Sequence, residues 1–201
     1  MTKIKLCGLS RLEDIETVNG LKPEFIGFVF YKKSIRYVDF DKAAELKKKL
    51  DPDIKAVGVF IDEDINDVAY LLNEDIIDIA QLHGREDEEY ISELRKLTGG
   101  KPVIKAFRIK SVEDASLVNA SSADYVLLDA GAGDGKLLDR SLLREVKRDY
   151  FLAGGLDPEN VKDALREIDP FAVDVSSGIE TEKKKDPEKM KKFVKTVRDM
   201  R

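Results

Sequence analysis

The sequence predicts an α/β protein folded as one (β/α)8 barrel over residues 1–201. Three observations carry that prediction. Short β-rich runs alternate with amphipathic stretches from end to end, with no linker and no low-complexity segment. Units of this length force parallel pairing, because each crossover must travel back along the sheet. Eight such units in 201 residues match the TIM-barrel architecture at the small end of its range. An open, doubly wound sheet is the competing architecture. It usually carries a glycine-rich fingerprint after strand one, where this chain has a single glycine, Gly8.

The first run, 4–7, alternates as Ile4-Lys5-Leu6-Cys7, and Ser10-x-x-Glu13 then reads as a capping box opening a helix over 12–21. The run 25–30 precedes an amphipathic stretch over 41–50. The third unit pairs 55–60 with 65–72; Asp62, Asp64 and Asp67 there read as a loop and helix-start charge cluster, because calcium-loop spacing is absent. The fourth pairs 76–83 with 88–97. The fifth pairs 103–108 with 112–118, opened by the capping box Ser111-x-x-Asp114. The sixth pairs 125–130 with 141–147, the seventh 150–153 with 158–168, and the eighth 172–175 with 187–197. Asp157-Pro158 and Asp186-Pro187 each put an N-cap aspartate before a proline at the first helical position.

Composition bounds the partners. A net charge of −5 disfavours nucleic acid, and the basic run Lys183-Lys184-Lys185 reads as a solvated loop before the last helix. No apolar run approaches the ~18 residues of a membrane span, and the N-terminus lacks a signal-peptide block. One cysteine argues against a disulfide-built secreted scaffold. The expected compartment is the cytoplasm, with no membrane partner; oligomeric state is not read from the sequence. Abundant Lys and Glu, a single glutamine (Gln81) and no Trp match a thermophile's usage. With His83 the only histidine, no histidine metal cluster is possible.

In this architecture the active site lies at the C-terminal ends of the strands. Those ends read Cys7, Phe30, Phe60, His83, Arg108, Asp129, Gly154-Gly155 and Ser176-Ser177-Gly178. The period of two puts Lys5 with Cys7, Gln81 with His83, and Asp174 with Ser176 on common faces. The two glycine-bearing turns follow strands seven and eight, where barrels commonly hold a phosphate. Glycines let the backbone approach an anion, and N–H groups with serine hydroxyls ligate its oxygens. Gly154, Gly155, Ser176, Ser177 and Gly178 are therefore the expected phosphate-binding residues.

The chain closely resembles the phosphoribosylanthranilate isomerase family of tryptophan biosynthesis. The resemblance rests on Lys5-Leu6-Cys7-Gly8-Leu9-Ser10-Arg11, Gly27-Phe28-Val29-Phe30, Ser34-Ile35-Arg36-Tyr37 and Gln81-Leu82-His83-Gly84. It continues through Val103-Ile104-Lys105-Ala106-Phe107-Arg108, Leu127-Leu128-Asp129-Ala130, Ala153-Gly154-Gly155-Leu156, Pro158-Glu159-Asn160-Val161 and Val173-Asp174-Val175-Ser176-Ser177-Gly178-Ile179-Glu180, covering the whole chain in order. It implies a cofactor-free aldose–ketose isomerase, an intramolecular oxidoreductase by class. The reaction implied is an Amadori rearrangement of N-(5-phosphoribosyl)anthranilate to 1-(2-carboxyphenylamino)-1-deoxyribulose 5-phosphate. The family base falls on Cys7, the family acid on Asp129, and the arginine proposed to hold the anthranilate carboxylate on Arg36. Gln81, His83 and Asp174 are the further candidates for lining the substrate. The acid must hold a proton near neutral pH, through desolvation or a neighbouring carboxylate such as Asp174. The base needs thiolate character, and Lys5 either supplies the favouring charge or simply pairs with a barrel carboxylate.

Three positions depart from the family pattern. The glycine-bearing segment after strand six, 132–140, differs in sequence and follows Asp129 sooner; Ile35 replaces a common proline before Arg36, implying a less rigid loop; Leu6 replaces isoleucine. Lys105 raises a Schiff-base alternative, but its family-typical surroundings favour a structural role. The alternative functions are another phosphosugar barrel and a catalytically silent barrel that only binds a phosphorylated ligand or another protein. A histidine-pathway isomerase is expected to carry aspartate where Cys7 stands, and a metal-dependent pentose-phosphate epimerase needs more histidines than one.

Overall fold

The computed structural model of the chain describes residues 2–129 and 140–200. Eight parallel strands close in sequence order: β1 (Lys3–Cys7), β2 (Phe25–Val29), β3 (Lys55–Phe60), β4 (Ile79–Leu82), β5 (Val103–Arg108), β6 (Tyr125–Asp129), β7 (Tyr150–Ala153) and β8 (Ala172–Val175). The barrel shuts where β8 pairs with β1, Lys5 lying opposite Asp174. Around it run α1 (Leu12–Leu21), α2 (Phe40–Lys47), α3 (Ile65–Asn73), α4 (Glu88–Thr98), α5 (Val112–Ala120), α6 (Arg140–Leu143), α7 (Val161–Glu167) and α8 (Pro187–Arg198). The predicted (β/α)8 barrel is the fold.

Strand alternation divides two apolar layers. One set of side chains, including Ile4, Leu6, Ile26, Phe28 and Val173, packs outward in a core with the helices. The other, Phe25, Val57, Ile79, Ile104, Leu127, Phe151 and Ala172, fills the inside of the barrel. Aromatic rings close the N-terminal end of that interior: Phe25 meets Phe151 at 5.2 Å between centroids, and Tyr125 stacks on Phe171 at 5.2 Å. Lys3 Nζ lies 4.2 Å from the centre of Phe171. With that end plugged by apolar contacts, polar inward residues are left to the opposite end.

Two of the four helix-start signals in the sequence, at α5 and α8, fall where they are expected. Ser111 accepts from Asp114 N–H in its capping box, and Asp186 caps α8 with Pro187 at its first turn. At α1 the reading was displaced by one residue. Arg11 is the N-cap and Asp14 the partner, its Oδ2 accepting from the N–H groups of both Ser10 and Arg11 at 3.0 Å, while Glu13 is exposed. Asp157 binds the N–H groups of Glu159 and Asn160, so a separate turn at Pro158 precedes α7, which starts at Val161. β4 is four residues long rather than eight, since Ile76 and Ile77 fold back with their N–H groups on Leu71 C=O. Ala130 and 131–139, which hold most of the departing loop, lie outside the described residues.

A hairpin absent from the sequence reading follows β8. A 3-10 turn (Ser177–Ile179) leads into β9 (Glu180–Thr181) and β10 (Lys184–Lys185), with Lys185 directly opposite Glu180. The two connecting residues, Glu182 and Lys183, hold φ of 49° and 64°, a left-handed pair usually given to Asn-Gly. Each costs about 1–2 kcal/mol for a side-chain-bearing residue.

Candidate active site

The inward polar residues of the open end converge on one cavity of about 210 Å³. Cys7, Gln81, His83, Asp129, Gly154, Gly155, Asp174, Ser176 and Ser177 all line it, together with Val59, Ala153 and Leu156. Nine of the eleven candidate residues read from the sequence are thus brought together. Arg36 and Gly178 stand just outside.

At the floor of this cavity sits a buried charge. Lys5 is fully buried, and its Nζ donates to Asp174 Oδ2 at 3.0 Å. Burial works against the Lys5 ammonium, but Asp174 and Cys7 outweigh it and hold its pKa above the ordinary lysine range. Two residues along the same strand face, the Cys7 thiol is buried within the electrostatic reach of Lys5. Both readings of Lys5 therefore hold: it pairs with a carboxylate, and its field favours the thiolate. The net direction for the thiol is set by burial. Burial is the largest influence and, joined by Asp174, pushes the thiol up, against Lys5 and Lys185 pulling it down. Gly27 of β2 makes room for the sulfur, since a methyl there would come within 2.6 Å of Cys7 Sγ.

On the other side of the cavity, Gln81, His83 and Asp129 form a row. His83 Nδ1 lies 3.1 Å from Gln81 Nε2, and His83 Nε2 lies 3.4 Å from Asp129 Oδ2. With the amide donating to Nδ1, the ring proton sits on Nε2 and faces the carboxylate. The neighbour beside Asp129 is thus an imidazole, whereas Asp174 is engaged by Lys5. Among the described residues, Gln81 Oε1 and Asp174 Oδ1 are buried without a hydrogen-bond partner. Two orphaned acceptors on the wall of one cavity call for donors from a ligand.

The turns after β7 and β8 form the third wall. Gly154 and Gly155 both take positive φ, 99° and 65°. Among the described residues, the N–H groups of Gly155, Ser177 and Gly178 have no acceptor. Gly178 packs so tightly behind them that a methyl on it would stand 2.0 Å from Leu156 C=O. The two turns are locked together by that contact. Gly178→Ala is therefore expected to pry them apart and weaken competitive inhibition by inorganic phosphate at least tenfold, a loss of about 1.4 kcal/mol, with circular dichroism unchanged.

Arg36 lies beside Gly8 and Ser176, its Nε and Nη2 forked onto Glu180 at 2.6 and 2.8 Å. The turn carrying it is pinned despite Ile35, through Ser34 Oγ accepting from Arg36 N–H and Ser34 C=O accepting from Tyr37 N–H. Lys185, read as part of a solvated basic run, is instead buried and ion-paired to Glu180 at 2.6 Å; only Lys183 and Lys184 are solvated. Sequence reasoning missed it because hydropathy cannot tell a buried paired lysine from its solvated neighbours. The available signal was Glu180 five residues upstream, across a two-residue turn. Lys105 points outward to Glu86 and Gly84 C=O, a buried tie between loops, which fits the structural reading. Asp62 pairs with Arg85 and Asp64 caps α3, so the aspartate cluster is likewise structural.

The family model for N-(5'-phosphoribosyl)anthranilate isomerase matches residues 4–196. The N-(5'-phosphoribosyl)anthranilate isomerase of Endomicrobium trichonymphae is 42% identical over 205 residues, covering 100% of both chains. The crystal structure of phosphoribosyl anthranilate isomerase from Thermotoga maritima superposes with a TM-score of 0.88 at 36% identity, over 99% of this chain and 100% of that one. A phosphoribosyl anthranilate isomerase in complex with reduced 1-(o-carboxyphenylamino)-1-deoxyribulose 5-phosphate gives a TM-score of 0.86 at 34% identity, over 99% and 100%.

Proposed function

Because this chain belongs to the N-(5'-phosphoribosyl)anthranilate isomerase family, we propose that its cavity carries out the isomerisation with Asp129 as acid and Cys7 as base. The observation that carries this division is their placement around one cavity that also holds the free amides of the β7 and β8 turns. A phosphate seated on Gly154, Gly155, Ser176, Ser177 and Gly178 would lay the ribose across the cavity between the two groups.

The chemistry runs in two proton transfers. Asp129 gives its proton to the ring oxygen as the C1–O bond breaks, and the nitrogen lone pair closes a C1=N iminium. His83, proton on Nε2, steadies the carboxylate that remains. Cys7, as thiolate, then takes the C2 proton; the electrons of that C–H bond form C1=C2 and neutralise the nitrogen. The enolamine tautomerises to the ketone, so C1 is reduced and C2 oxidised, an internal oxidation–reduction. The iminium is a cation formed beside a thiol that burial holds up. The first step therefore lowers the cost of the charge that the second step needs. The ribose hydroxyls are the donors suited to Asp174 Oδ1 and Gln81 Oε1. Arg36 takes the anthranilate carboxylate. No described helix is long and apolar enough to cross a membrane, and a charged phosphosugar substrate fits the cytoplasmic assignment.

The test is growth of a tryptophan auxotroph lacking the isomerase, together with the purified kinetics. Complementation by the wild type is expected; soluble protein that neither complements nor turns over phosphoribosyl anthranilate would favour a silent binding barrel. Arg36→Ala is expected to raise KM about 10- to 100-fold, the worth of a charge-assisted hydrogen bond, with inhibition by inorganic phosphate unchanged. Equal loss of both would remove Arg36 from the carboxylate.

A further inference from the structure

We propose that Glu180 and Lys185 are positioning residues that hold the Arg36 fork toward the substrate carboxylate and tie it to the phosphate turn through Ser176. The proposal rests on the reading of Arg36 as the carboxylate clamp and extends it to two residues that touch no substrate.

The geometry is a chain of short contacts. Glu180 takes Arg36 Nε and Nη2 on its two oxygens, at 2.6 and 2.8 Å. That leaves the Nη1–Nη2 edge of the guanidinium for a ligand, since among the described residues Nη1 has no partner. Lys185 Nζ donates to Glu180 Oε1 at 2.6 Å, to Ser176 C=O at 2.9 Å and to Ser176 Oγ at 3.3 Å. Arg11 Nη2 in turn holds Lys185 C=O at 2.7 Å. Arg36, Glu180 and Lys185 are thus one linked unit spanning the loops after β2 and β8.

The surroundings are built for that unit. Lys185 is 5% exposed, and a buried lysine is retained only with a partner. The hairpin that puts it opposite Glu180 turns on Glu182 and Lys183, both forced into left-handed backbone. Strain of this kind persists where the geometry it secures is needed. Burial opposes the Glu180 charge, yet Arg36 and Lys185 together hold the carboxylate below its ordinary range, so it stays an anion beneath the guanidinium. An isolated arginine on a four-bond stem would lose rotamer freedom on binding; one already forked is spared that loss.

The test compares three variants in the same kinetic assay. Glu180→Gln keeps the size but cannot accept both guanidinium N–H groups, and is expected to raise KM about 10- to 100-fold. Its kcat and its inhibition by inorganic phosphate should stay near wild type. Glu180→Asp, which keeps the charge on a shorter stem, should recover part of that loss. Lys185→Met should raise KM and also weaken inorganic phosphate about three- to tenfold, because Ser176 loses its tether. A wild-type KM in Glu180→Gln, while Arg36→Ala remains impaired, overturns the positioning role and leaves the clamp standing. A wild-type KM in Arg36→Ala overturns the clamp itself. Parallel loss of kcat, phosphate inhibition and thermal stability in Glu180→Gln would mean a structural role only. Should the glutamine variant not fold, the aspartate variant decides on the same readouts.

Discussion

Cys7→Ala is expected to lower kcat by roughly 10²- to 10⁴-fold, the range for a positioned general base. KM should change little, because phosphate and carboxylate contacts lie elsewhere in the mouth. Asp129→Asn is expected to fall in the same range, since an amide has no proton to give the ring oxygen. The two act on successive steps of one reaction, so the double variant should fall well short of the product of the single losses. A Cys7→Ala enzyme keeping more than about a tenth of wild-type kcat would take the thiol out of the proton transfer.

The same thiol sets the pH dependence. Burial and Asp174 push it up, Lys5 and Lys185 pull it down, and the nearby Arg36 adds a further positive charge on its own loop. Burial prevails, so the reactive thiolate is the minor form at neutral pH and its fraction grows as pH rises. The thiolate fraction of the free enzyme should therefore climb with pH through neutrality toward a thiol pKa above the ordinary 9.0, while kcat/KM also carries the opposing loss of the proton that Asp129 must donate. Alkylation by iodoacetamide reads the same group directly, because Cys7 is the only cysteine. Its rate should follow the same upward curve and be suppressed by bound product. An alkylation rate already flat between pH 6 and pH 8 would show instead a thiolate formed at rest.

How much of this was legible beforehand depends on what kind of information each feature carries. Strand positions and closure follow from two periodicities, and the strand ends then named Cys7, His83, Asp129 and the two glycine turns without any tertiary information. The same period of two placed Lys5 beneath Cys7. Its actual partner, Asp174, is 169 residues away and becomes its neighbour only when β8 closes on β1. The sign of the Cys7 shift was illegible for a related reason: it is a contest between burial and four charged groups from separate elements. Lys185 is the sharper case. Its two lysine neighbours are exposed, and only the tight turn at Glu182-Lys183 swings it under the β8 loop.

Lys5→Met should destabilise the fold by about 3–5 kcal/mol, the cost of leaving one partner of a buried ion pair uncompensated. The Asp174 carboxylate would remain under Cys7 with its cation gone. The sign with pH follows from the direction of the Lys5 shift. Its pKa is raised above 10.5, so the charged form and its stabilisation are complete below that value and are lost only as pH climbs through the higher folded value. The intact pair should therefore contribute the same stability at pH 6 and pH 8, and any change in the urea-measured loss between those values would come from the carboxylate left unpaired in the variant. Lys5→Met/Asp174→Asn removes both charges and should recover most of the stability, because replacing a whole buried pair by neutral groups is often harmless. It should not recover the isomerase. Without the ammonium the Cys7 thiol loses its strongest downward pull, and its alkylation at neutral pH should slow in both variants. A double variant that is stable yet alkylates and turns over like wild type would reduce the pair to packing. One that is stable and slow would make the floor of the barrel part of the acid–base machinery, with stability and catalysis separated at a single buried contact.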